Sequence, residues 1–134
     1  MPTAMDQVPA ELVDLLTGST LGHVTVVTPK GNLISHIMWV DYEDGRVMTS
    51  SRVGSAKGKA LRADPRVSIS VVDTANPWRW VSVSGRVVEI LPDTDLVFID
   101  KMSRRYTGRD YVMRDMAREV FVIAPERVRS STGR

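Results

Sequence analysis

The chain has 134 residues, no cysteine, two histidines, and 18 basic against 16 acidic side chains, a formal net charge of +2. That length fits a single domain, residues 1–134, with one core. The lack of cysteine excludes a disulfide scaffold, a thiol nucleophile, an iron–sulfur site and a cysteine zinc finger, and two histidines leave little for a zinc site or a Ser-His-Asp triad. No metal is therefore expected, and difficult chemistry would come from something bound.

In chain order, Pro9 and the run through Leu16 to Gly18 predict a short helix over about 9–17, with proline in the first turn and glycine at the C-cap. Residues 21–28 are rich in β-branched side chains and read as a strand. The turn Pro29-Lys30-Gly31-Asn32 joins it to residues 33–41, where alternation puts Ile34, His36, Met38 and Val40 on one face. These two strands form an antiparallel hairpin. Residues 46–50 make a third strand after the turn Glu43-Asp44-Gly45. Ser55 is an N-cap for a helix that must stop near Asp64, ahead of Pro65. Residues 66–72 alternate as a strand, and Trp78 to Leu91 form a long one, bent at Gly85. A helix is expected from Pro92 to about Met102 and a second helical piece over about 109–116. A last strand covers 120–124 before Pro125, and residues 129–134 read as a flexible tail.

About six strands with short turns, and helices at the N-terminus, mid-chain and near the C-terminus, predict a mainly β protein with short helices. The fold class is α+β, an antiparallel sheet closed into a small barrel. No run approaches the ~20 apolar residues of a membrane span. The opening MPTAMDQVPAELVD has no basic region followed by an apolar core, so a cytoplasmic location is expected. Acids and bases are mixed along the chain, and no nucleic-acid partner is expected.

The segment from Thr49 to Pro65 carries the most chemistry. A strand enters a Ser- and Gly-rich turn and opens a helix bearing Lys57, Lys59 and Arg62. Free N–H groups at a helix start, hydroxyls and an ammonium together suit a phosphate. A solvated basic helix with an ordinary cap is the other reading. Trp78 and Trp80, at i and i+2 of a strand start, share a face. They could stack on a flat ligand, plug a barrel end or sit in a subunit interface, and Trp39 is open to the same readings. His36 and His23 read as structural. Asp93, Asp95, Asp100 and Asp115 read as caps and surface charges, with no carboxylate pair. Lys101 to Tyr106 reads as a solvated helix end.

Several of these stretches also resemble a known family. They are Pro29-Lys30-Gly31-Asn32 with the strand to Trp39, Thr49-Ser50-Ser51, and Ser55-Ala56-Lys57. To these are added residues 61–67, residues 81–87 and Arg105-Tyr106-Thr107-Gly108. The pattern is similar to the pyridoxamine 5'-phosphate oxidase-like split β-barrel (FMN-binding-protein-like) flavoproteins. Within them it most resembles the short actinobacterial branch of deazaflavin (coenzyme F420)-dependent oxidoreductases of the B type. The likeness spans about residues 8–128, and SAKGKALRADPRVSISVVD is its most specific part.

The resemblance implies a homodimer with two cofactor sites between the protomers. By position, Lys57 matches the family lysine that meets the cofactor phosphate, and Ser50, Ser51, Ser55 and Ala56 match its cradle. Met38, Trp39 and Val40 match the strand beside the ring, and Trp78 and Trp80 the segment that reaches in from the other protomer. The implied activity is hydride transfer between F420 and a small organic acceptor. Family members also use FMN or bind haem breakdown products, so an FMN enzyme and a non-catalytic flavin, deazaflavin or tetrapyrrole carrier remain alternatives. The extended C-terminal segment of true pyridoxamine phosphate oxidases has no counterpart, so oxidation of vitamin B6 is not expected.

Overall fold

A computed structural model describes residues 7–133. The expectations for residues 1–6 and for Arg134 lie outside them. Seven strands form one antiparallel sheet: β1 Gly22–Val27, β2 Leu33–Met38, β3 Asp41–Glu43, β4 Arg46–Arg52, β5 Arg66–Val72, β6 Arg79–Pro92 and β7 Arg118–Thr132. Their spatial order is β2-β1-β5-β6-β7-β4-β3. The two edge strands, β2 and β3, are consecutive in the chain and separated only by Trp39 and Val40. Three peptide links reach at most about 11 Å, so the sheet must curl until its edges meet. The result is a split barrel whose seam lies at Trp39 and Val40.

The barrel is filled by side chains from every side. Val24, Val26, Val47, Ile69, Val71, Val81, Phe121 and Ile123 are fully buried, as alternation on each strand requires. Leu12, Leu15 and Leu16 join the same core. They come from a 3-10 turn at Ala10–Leu12 and the four-residue α1, Asp14–Thr17, where one continuous helix was expected.

The other two helices lie in the connections between strands. α2, Ala56–Ala63, follows β4. α3, Val97–Thr107, follows a 3-10 turn at Thr94–Leu96, and Asp93 starts it by accepting the amides of Phe98 and Ile99 at 2.8 and 2.9 Å.

Four local expectations change. The strand expected over 33–41 breaks at Trp39, and Asp41–Glu43 pairs instead with β4, which raises the count from six to seven. Residues 109–116 form no helix. Gly108, at φ +83°, ends α3, and the amide of Tyr111 is taken by the Asp100 carboxylate rather than by a helical carbonyl. The helix expected from Pro92 begins later, because β6 runs through Pro92. β7 does not stop at Pro125 but pairs with β6 as far as Thr132, so residues 129–132 are part of the sheet. Pro125 is tolerated because the ladder is already irregular there, at the shift between Ser84 and Gly85. Gly85 is obligatory at that crossing: a Cβ would lie 2.0 Å from the Ala124 carbonyl oxygen.

Candidate functional site

A cavity of about 230 Å³ opens at the seam. Its walls come from the end of β2 (Ile37, Met38, Trp39), from Ser50 of β4, Lys57 of α2, Met102 of α3, Tyr111 of the following segment and Arg118 at the start of β7.

Lys57 is aimed by its helix. Ser55 caps α2, its hydroxyl accepting the Gly58 amide at 3.0 Å, and Ser51 donates to Ser55 at 2.6 Å. Gly58 lets α2 sit close against β7, since a Cβ there would meet the Glu119 carboxylate at 3.2 Å. Arg62 then clamps Glu119 through two bonds of 2.7 Å, and that pairing holds the Glu119 carboxyl below its usual range. So Ser51 and Ser55, both buried, build the turn that presents Lys57, while Ser50 faces the cavity itself. Ala56 is the first residue of the helix, where it and Lys57 have amides with no intrahelical acceptor.

The electrostatics are one-sided. The first turn of α2 contains no acid and carries Lys57, a cation at the positive end of a helix. Burial, and then the charges of Arg118 and Arg52, push the Lys57 ammonium below its ordinary pKa. No anionic partner for Lys57 or Arg118 is found among the described residues. Arg118 donates to Ser50 Oγ at 3.2 Å, and its guanidinium lies 5.0 Å from the centre of the Tyr111 ring. The cavity therefore carries two neighbouring cations, Lys57 and Arg118.

Trp39 and Tyr111 add aromatic surface to the same cavity. Trp39 stacks on Tyr106 at 5.3 Å with 14° between the rings, and Tyr111 meets Trp39 edge-on at 6.1 Å. Thr49 donates to the Trp39 carbonyl at 3.0 Å. Tyr106 donates to the Thr20 carbonyl at 2.7 Å and accepts the Val40 amide at 3.3 Å. Burial raises the Tyr106 hydroxyl above its ordinary pKa, so it stays a donor. The Val40 side chain points into the core rather than the cavity. Behind Lys57, burial and then the lysine charge lower His36, whose Nε2 is buried without a hydrogen-bond partner.

Trp78 and Trp80 do not line this cavity within one chain. Trp78 is 71% exposed at the approach to β6. Trp80 lines a separate groove on the outer sheet face with His23, Ser70, Val72 and Arg129. The two regions are linked by a row across the sheet, Ile37 to His23 to Ser70 to Ser82 to Arg129. Ile37 is 57% exposed and belongs to the cavity rim, so the cavity opens onto that face.

Arg118 and Tyr111 were not foreseen from the sequence. Arg118 enters through the pairing of Arg52 with Arg118 between β4 and β7, and Tyr111 lies in a segment without regular structure. Among the described residues no group of three or more His, Asp or Glu side chains could hold a metal, and no helix is long and apolar enough to cross a membrane.

Fold and site define a split-barrel protein with a cationic pocket at the barrel seam. The chain belongs to the Pyridoxamine 5'-phosphate oxidase family, which it matches over residues 8–132. It is similar to a solved structure called an F420 Reductase, at 27% identity and a TM-score of 0.83, covering 91% of this chain and 98% of that one. A conserved hypothetical protein from Mycobacterium tuberculosis is also 27% identical, with a TM-score of 0.77 and coverage of 99% and 89%. General Stress Protein 26 from Bacillus anthracis, at 17% identity and TM-score 0.68, with coverage of 90% and 91%, shares the fold. Among curated proteins none matches the chain.

Proposed function

We propose that the protein is an oxidoreductase that binds coenzyme F420 at the seam and passes hydride to a small organic acceptor. The observation that carries this reading is the uncompensated pair Lys57 and Arg118 sharing one pocket with Trp39 and Tyr111. The cations suit the cofactor phosphate, and Trp39 with Met38 and Met102 suits a flat ring. The likeness to the F420 Reductase over 98% of that chain favours F420. The bound cofactor would supply the hydride chemistry; this chain binds, orients and keeps water from one ring face. No side chain is assigned as general acid or base.

The residues also fit FMN, because Lys57 and Arg118 address a phosphate that both cofactors carry. Absorbance of the purified protein and quenching of added F420 fluorescence separate the two. Copurified yellow flavin, with no F420 quenching, refutes the F420 assignment. Tight binding without turnover over an acceptor panel refutes the enzymatic one.

The proposal includes a homodimer. A barrel this small fills its own interior, and the cavity opens along Ile37 onto a face carrying Trp80, Val72 and Leu33. A second copy on that face would bring its Trp78 and Trp80 toward the open side. Sedimentation of the wild type and of Trp80→Glu tests this. A wild-type monomer that still binds the cofactor refutes it.

A further inference from the structure

Asp100 lies outside the cavity, is buried in α3, and uses both carboxylate oxygens. Oδ1 accepts the Tyr111 amide at 2.9 Å and Arg114 at 2.9 Å, and Oδ2 accepts Arg114 at 3.0 Å. Arg114 returns a bond to the Tyr111 carbonyl at 2.9 Å. The segment between α3 and β7 has no ladder or helix to hold it, so this cluster fixes its path over the pocket. At its near end, Thr107 bonds the Arg109 amide at 3.3 Å. At its far end, the Val53 amide donates to the Ala117 carbonyl at 2.9 Å. Between these ends, Tyr111 touches both halves of the pocket: its ring meets Trp39, and Arg118 lies against it.

We infer that Asp100 is a positioning residue for the anion pocket, acting through Tyr111 to hold Arg118 where it meets a bound phosphate. The role rests on the pocket being the anion site proposed above. Asp100 contributes no atom to the cavity, but Ile99 and Met102 of the same helix do, so a loss of affinity is assigned to the Tyr111 segment only where Tyr111→Ala abolishes it. The carboxylate is held down to about pH 2 by Arg114 and the Tyr111 amide, and the latch stays charged throughout the range of ordinary assays. Preorganising a guanidinium in this way removes an ordering cost from each binding event.

The test is a double-mutant cycle read by titration calorimetry with inorganic pyrophosphate, with thermal melts in parallel. Asp100→Asn keeps the side-chain shape and loses the charge. Arg114→Leu opens the latch from its solvent side and serves if Asp100→Asn folds poorly. Each is expected to weaken pyrophosphate binding about tenfold in the wild-type background and less than twofold in Tyr111→Ala. A change under twofold in the wild-type background, or equal losses in both backgrounds, overturns the positioning role. Parallel titrations with F420 and FMN separate the two proposals. Pyrophosphate binding without binding of either cofactor overturns the cofactor reading alone. No pyrophosphate binding by the wild type overturns the positioning role, and no binding of pyrophosphate, F420 or FMN overturns both.

Discussion

Lys57→Met is the sharpest probe of the pocket, because its two effects have opposite signs. Methionine keeps the aliphatic stem and removes the ammonium. A hydrogen bond to a charged partner contributes about 1.5–3 kcal/mol. Its loss therefore weakens phosphate-dependent cofactor binding roughly 10- to 150-fold. Stability should move the other way or not at all. The ammonium is partly desolvated, faces the charges of Arg118 and Arg52, and has no acid in its helical turn. Removing it deletes a repulsion and no native bond, so the apo protein should melt at the same temperature or higher. The assay is F420 fluorescence quenching, with FMN absorbance as its counterpart, alongside thermal melts. Unchanged affinity refutes the anion-site reading. A large fall in melting temperature refutes the claim that the lysine is kept for binding rather than for folding.

The same lysine sets a pH dependence. Its folded pKa lies below 10.5. The unfolded chain therefore holds more protons between that depressed value and 10.5, and apo stability gains with rising pH in this window. Affinity for the phosphate falls as pH rises through the depressed value, and Lys57→Met should show no such fall; parallel profiles for both proteins check this. Ser55→Ala removes the cap of α2 and leaves Ser51 without its partner. It should cost about 1 kcal/mol in denaturant unfolding and weaken the cofactor as well, since α2 aims Lys57. Gly85→Ala should cost about 3 kcal/mol or more or prevent folding, because the new methyl meets backbone at 2.0 Å; urea denaturation would reveal a tolerant bulge as a loss under 1 kcal/mol.

What could be read from the residues was what local chemistry decides. Lys57 was legible because its setting lies within one short stretch: a strand, a Ser and Gly turn, an N-cap and a helix. The β1 to β2 hairpin was legible for the same reason. The other half of the pocket was not, because Arg118 joins Ser50 only through the long-range pairing of β7 with β4. The helix expected over 109–116 did not form. The Asp100 carboxylate offered the Tyr111 amide a different acceptor. Pro125 read as a stop, yet β6 extends far enough to keep residues 127–132 paired, and that length shows only when the two strands are laid side by side. The break at Trp39 was hidden by continuous alternation, since closing the barrel, not side-chain preference, ends β2 there.

The seam has a consequence for how such proteins diversify. Elsewhere in the wall, backbone groups are held by ladder bonds that fail or survive together. At Trp39 and Val40 the same service is done by single side chains, the Thr49 hydroxyl on one carbonyl and the Tyr106 hydroxyl on one amide. Either can be exchanged by one codon without unzipping a strand. The stretch at the seam is thus insulated from the cooperativity of the fold, and drift there can reshape the cavity wall while the barrel stays as it is.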